Sequence, residues 1–261
     1  MTPRPRSISL VSLTVSALCA AIAARMAWDQ PRLLLPFAVI VLVMLLPAFL
    51  ARRRMRRLLM SGDPERVLGT WQGSLQRVMY PETMAPLMVA TAYAAYGWID
   101  AARTALERAV RGPAWEAALE QRLFIETLLD TFEGSRTTAV EKAEVLGKMP
   151  MPAASFFARL RIARLRRGLL AMARAFAHTS LDSDARALRA AASTSPLIHW
   201  AMRYAAAVIA IDQGKKGEVP SLLAGAPTWP ESSAFRHFHN ELLTASGWKN
   251  EGALGSPLAG G

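Results

Sequence analysis

Two long stretches near the start of this chain have no polar face. Residues 7–24 (SISLVSLTVSALCAAIAA) and 33–51 (LLLPFAVIVLVMLLPAFLA) contain no charged residue. Each is close to the roughly 20 residues that a helix needs to cross a bilayer core of about 30 Å. A span must satisfy its own backbone hydrogen bonds, so the pair predicts a transmembrane helical hairpin, with spans at about 7–27 and 33–51. The turn between them, RMAWDQPR, carries Trp28, a residue suited to the membrane interface. Beyond residue 60 the pattern changes to apolar positions at three- and four-residue spacing. No alternating run rich in β-branched residues lies between turn signals, so the chain predicts helices and no sheet. Asp63 followed by Pro64 predicts a helix start, a capping side chain before a proline in the first turn. Pro81 and Pro86 predict the end of that helix and the opening of the next.

A glycine corner then recurs. After Gly97 come Ala102, Leu106 and Ala109 at five, nine and twelve residues, and Pro113 at sixteen. Gly134 is followed at the same offsets by Ala139, Ala143, Leu146 and Pro150, and Gly214 by Val219, Leu223, Ala226 and Pro230. The gap between the second and third corners leaves room for another, predicted at Thr179, with Leu188 and Ala191 nine and twelve residues on. There the glycine is missing, and Asp184 takes the place of the small residue. Small residues let two backbones approach, larger ones fill the gaps between units, and proline stops a helix.

This pattern resembles the tetratricopeptide repeat, a pair of antiparallel helices of about 34 residues stacked into a superhelix. The first unit matches best, with Tyr93 four residues before Gly97; Asp130, Ala175 and Ala210 replace that tyrosine in the others. The resemblance implies a mainly α fold, an N-terminal transmembrane hairpin followed by an α-solenoid. The expected layout is a membrane anchor at 1–57, a connecting helix at 58–83 and about four repeats at 84–230. A capping helix at 231–246 follows, with a polar outer face over the apolar end of the stack, and a glycine-rich tail at 247–261 that reads as disordered.

Charge orients the anchor. Arg4, Arg6 and the RRRMRR run at 52–57 give seven basic residues outside the hairpin, against Arg25 and Arg32 in its turn. The positive-inside rule then places both ends in the cytoplasm of a bacterial-type inner membrane. A cleaved signal peptide is the other reading of the first apolar segment, and it leaves the C-terminal domain cytoplasmic. Leu18 stands where a lipoprotein cleavage site needs a small residue, which argues against lipidation at Cys19. The formal net charge of +11 lies mostly in the anchor, and the remainder is near balance, which argues against nucleic acid as a partner.

Catalytic chemistry is not visible. There is no phosphate loop, nucleophile elbow or HExxH motif. His237 and His239 are two apart on a predicted helix and face differently, while His178 and His199 fall near helix ends. Glu116, Glu120 and Glu126 read as a solvated helical face. No cofactor, metal or enzymatic activity is expected; the alternative is an enzyme, or an enzyme subunit, with residues too sparse to recognise.

The resemblance further implies a concave groove lined by the first helix of each unit, at Leu87 and Thr91, Phe124 and Leu128, Leu169 and Ala173, and Tyr204 and Val208. None is basic or an amide, so a carboxylate clamp is not expected. The groove either takes an amphipathic helix or is filled by the protein's own helices. Residues 158–174 stand apart, with six arginines and no acid. A helical wheel gathers Arg159, Arg166, Arg167 and Arg174 on one face, with Arg161 and Arg164 on the other side. That face is either solvated or meets anionic headgroups or an acidic protein. The expected function is a membrane-anchored scaffold or adaptor for protein partners.

Overall fold

Proline–glycine punctuation and apolar spacing produce a chain of helices joined by short turns. A computed structural model of the protein describes Arg25 and residues 34–247, the side chains at 34–38, 40, 41, 44 and 48 excepted. The expected first span and the turn after it, Arg25 apart, and the tail from 248 lie outside the described residues. Among the described residues there is no strand. The chain divides between Arg56 and Arg57 into two units.

In the first unit, helix α1 (Leu34–Leu59) runs from the second apolar stretch through the arginine run without a break, its last residues belonging to the second unit. At 1.5 Å per residue its 26 residues extend about 39 Å. Within the first unit its side chains Val39, Leu42, Val43, Leu45, Leu46, Phe49 and Leu50 are exposed. Counted over the described residues alone, no helix is long and apolar enough to cross a membrane.

The second unit opens with α2 (Pro64–Leu75), started as its sequence predicts. The Asp63 carboxylate accepts from the Arg66 backbone N–H at 3.2 Å, and Pro64 occupies the first turn. Helix α3 (Pro81–Ala95) begins at Pro81, but Pro86 lies inside it rather than at its start. A proline there has no N–H to give the Glu82 carbonyl. The Val110 backbone N–H donates to that carbonyl at 3.2 Å instead, and Thr83 Oγ1 donates to Val110 O at 2.8 Å. The missing intrahelical bond thus becomes a clamp between α3 and the end of α4 (Ile99–Glu107).

After the short α5 (Pro113–Ala117) come α6 (Leu119–Glu133) and α7 (Arg136–Lys148), then α8 (Phe156–Phe176) and α9 (Asp184–Thr194). Helix α10 (His199–Asp212) is followed by a 3-10 turn, α11 (Val219–Leu223) and the last helix, α12 (Ala234–Ala245). The packing follows a regular order. Helices α3, α6, α8 and α10 each pack on the helix that follows them, α4, α7, α9 and α11. Each of α6, α8 and α10 also packs on both members of the preceding pair. Ion pairs reinforce the order: Asp130 on α6, where the first unit has Tyr93, binds Arg103 of α4 at 3.2 Å and Lys142 of α7 at 2.8 Å.

The glycine corners have a common geometry. Gly97, Gly134 and Gly214 have φ of 73°, 88° and 72°, the left-handed region that ends helices. The residue after each donates its N–H to the carbonyl five residues back: Trp98 to Tyr93, Ser135 to Asp130, Lys215 to Ala210. The remaining corner differs from the expectation at Thr179. The left-handed residue is His178, with φ 57°, and Thr179 makes the same bond to Arg174 at 2.9 Å. The next helix starts only at Asp184, six residues after His178, and Asp184, Leu188 and Ala191 are still buried where the pattern places them.

Candidate functional site

Six of the eight residues expected to line a groove, Leu87, Leu128, Leu169, Ala173, Tyr204 and Val208, are buried, and Thr91 and Phe124 are half-buried. They do not line an open channel. Thr91 Oγ1 donates to Leu87 O, and Phe124 packs on the main core. The reason is α12. It touches the last pair, α10 and α11, as a cap should. It also reaches back along the first helices. Ser233 Oγ donates to Tyr96 O at 2.7 Å, and the Ala234 N–H donates to Gly97 O at 2.8 Å. Phe235 packs on Phe132 and Tyr204, and Phe238 on Phe132 and Phe176. One short helix therefore contacts the carboxyl-terminal parts of α3, α6 and α8 and the middle of α10. The amphipathic pattern of 231–246 predicts burial but not this extended placement.

A polar string crosses the same seam. Trp229 Nε1 donates to Tyr204 Oη at 2.6 Å, and Tyr204 Oη lies 3.2 Å from His239 Nδ1. Burial pushes the Tyr204 hydroxyl pKa above the usual tyrosine range and the His239 imidazole below its own. Both directions favour a neutral phenol donating to a neutral imidazole. Nearby, Tyr96 Oη donates to Leu59 O at 2.7 Å and Trp200 Nε1 to Met60 O at 2.9 Å, fixing the segment that leads into α2.

The arginine helix α8 does not present the face that the helical wheel groups. Arg166 is buried, at 4% exposure. Its guanidinium donates to Met149 O at 2.6 Å and Pro150 O at 3.3 Å, and pairs with Glu120 at 2.9 Å. Arg166 therefore ties the α7–α8 turn to α6 and is unavailable to headgroups or a partner. Arg174 is half-buried and lies 3.8 Å from Glu144 and 4.0 Å from Asp184. Arg159 and Arg167 are exposed, as are Arg161 and Arg164. We expect Arg166→Gln to cost about 2–3 kcal/mol, because buried carbonyls lose charged donors. Arg167→Gln should stay within about 0.5 kcal/mol. Urea denaturation of both variants checks the contrast, and equal losses would contradict the burial of Arg166.

Exposed arginines converge instead at the junction of α8 and α9. Arg164, Arg167, Arg174 and Arg186 rim an open cleft of about 500 Å³ whose floor includes Leu170 and Ala187. Among the described residues, Arg164, Arg167 and Arg186 have no ion pair. The acid in the cleft, Asp184, accepts from the Leu181 N–H at 2.9 Å and lies beside Arg174. A second open cleft of about 610 Å³, toward α7, shares Arg167, Leu170 and Arg174. Arg186, on α9, belongs to this constellation and is not apparent from the arginine run on α8 alone.

Two other features hold residue types that occur in active or metal sites. His178 Nδ1 lies 3.0 Å from the Asp212 carboxylate beside an apolar cleft of about 210 Å³ that includes Phe176 and Phe238. Among the described residues, neither has a serine, threonine or cysteine side chain as a hydrogen-bond partner. Among the described residues, no group of three His, Cys, Asp or Glu side chains could hold a metal ion. No protein-family model, curated protein or solved structure matches the chain.

Proposed function

We propose that this protein is a membrane-anchored helical-repeat scaffold that docks an acidic partner protein against α8 and α9. The anchor reading rests on the two uncharged apolar stretches and on the exposed apolar side chains of α1. The repeat reading is supported by the order of helix packing and by four left-handed corners with the same backbone bond. In this reading the residues expected to line the groove are buried among the protein's own helices, so docking moves to the second-helix side. The observation that carries the partner's chemistry is the convergence of Arg164, Arg167 and Arg186, with no ion pair among the described residues, over an apolar floor. An acidic surface with an apolar centre complements that arrangement. The domain faces the cytoplasm of a bacterial-type inner membrane.

A photo-crosslinking amino acid at Arg167 in the full chain, in native membranes, tests this. A discrete adduct to one acidic protein is expected, lost when Arg164 and Arg186 are changed to Glu. The same probe at exposed Val110, on the far end of the α3–α4 pair, should give no such adduct. Identical adducts from both positions, or none from Arg167, would overturn the docking site.

A further inference from the structure

Between Glu144 and Asp182 the sequence contains no acidic residue, while it holds Lys148 and six arginines. Within that stretch, residues 150–161 form a protrusion: every one is exposed except Ala158, which is half-buried. Its summit is apolar. Phe156 and Phe157 are 75% and 76% exposed, with ring centroids 5.7 Å apart, and Leu160, one turn along the same helix, is exposed too. Single exposed apolar residues are ordinary on a soluble surface; an exposed, touching pair of phenylalanines with an exposed leucine one turn on is a patch that marks an interaction surface.

The charges around the summit identify the surface it suits. Arg159 and Arg161 sit within the first two turns of α8, exposed and with no ion pair among the described residues. The helix starts here, so its free N–H groups add positive potential to the same point. Ser155 Oγ accepts the Ala158 N–H, and no acidic side chain lies in the first turn. Aromatic side chains ringed by arginines, on a helix start without acids, match the anionic interface of a bilayer, where rings enter the acyl boundary and guanidinium groups meet phosphates.

We propose that this protrusion, Phe156 and Phe157 with Arg159 and Arg161, is a membrane-inserting tip that fastens the second unit to an anionic lipid surface. The tip is separate from the α8–α9 cleft and rests on the membrane reading above. Its role is to give the domain a second, reversible contact with the bilayer, in addition to its covalent continuity with α1. Two weak attachments on one chain reinforce each other through effective concentration.

The test uses the full chain with Cys19→Ser and Leu160→Cys, the new cysteine carrying a spin label. The chain is reconstituted in liposomes of phosphatidylcholine alone or mixed with phosphatidylglycerol. Accessibility to oxygen and to a nickel chelate should place the label at acyl depth only where phosphatidylglycerol is present. A label at Leu181, exposed elsewhere on the domain, should remain aqueous in both. Phe156→Ser with Phe157→Ser, and separately Arg159→Gln with Arg161→Gln, should return the label at 160 to water. An aqueous label in anionic liposomes overturns the tip, as does a label shielded from both reagents, which would mean contact with another protein. Equal depth in both lipids overturns the role of the arginines. Retention of the chain after alkaline washing of the same liposomes reads the α1 anchor independently, so the two failures are distinguishable.

Discussion

Gly168→Val should be among the most damaging single substitutions in the domain, costing about 3 kcal/mol, the upper end of overpacking penalties. A Cβ at position 168 would lie 2.2 Å from Ala191 Cβ, with Met202 Sδ at 3.4 Å. Ala191 Cβ is fixed to the backbone of α9 and cannot swing away, so the two helices must separate. Gly97→Val should follow closely. Its φ of 73° strains any branched side chain, and its Cβ would meet the Phe235 ring at 3.0 Å. Gly134→Val carries the backbone strain alone, since nothing lies within 4 Å of the added atom, and should cost about 1–2 kcal/mol. Thermal or denaturant midpoints of the three variants test the order. Equal losses at Gly97 and Gly134 would show that α12 gives way without cost. A Gly168→Val variant as stable as the parent would show that α8 and α9 do not approach as closely as their backbones indicate.

That ranking shows what the sequence could and could not reveal. Gly97, Gly134 and Gly214 were legible because only glycine enters the left-handed region without strain, so a glycine after an apolar helix marks its end. The corner at His178 was displaced by one position because a histidine takes the left-handed conformation there, held by the Thr179 bond and by Asp212. No compositional signal separates such a histidine from its neighbours. Gly168 left no trace of its role, since an isolated helical glycine reads only as a weak helix former. Its meaning comes from the partner helix, which the local pattern does not specify.

The arginines illustrate the same limit. A helical wheel groups Arg166 with Arg159, Arg167 and Arg174 by angle alone. What buries Arg166 is the turn at Met149 and Pro150, whose carbonyls face it, together with Glu120 from another helix. The acid-free character of 158–174 was legible directly, but the exposure of 150–161 was not, because exposure depends on the absence of a neighbouring element. The cleft required Arg186 to be brought beside Arg164 and Arg167 by the packing of α9 on α8.

Truncation of Phe235 to alanine is expected to cost about 3–5 kcal/mol. The ring is fully buried and lies 5.1, 5.0 and 5.0 Å from the rings of Phe132, Tyr204 and Trp229. Those neighbours come from α6, from α10 and from the loop before α12, so one side chain links distant parts of the unit. The manner of the loss matters more than its size. Helix α12 is held mainly by its apolar face, with backbone and cap bonds to the rest of the unit only at its start, through Ser233 and Ala234. Removal of the central ring should therefore release α12 before the helix pairs unfold, as a sub-global opening. Hydrogen exchange measures this directly. Amides of 237–245 should exchange faster in Phe235→Ala, while those of α10 keep their protection relative to global unfolding. Detachment would also uncover Phe132, Phe176 and Tyr204, giving a binding surface for an apolar dye in native conditions. Uniform loss of protection across α10 and α12 would mean that the last helix belongs to one cooperative core. In that case the filled groove is a permanent part of the fold, and the basic cleft on α8 and α9 remains the surface on which the proposed scaffold meets its partner.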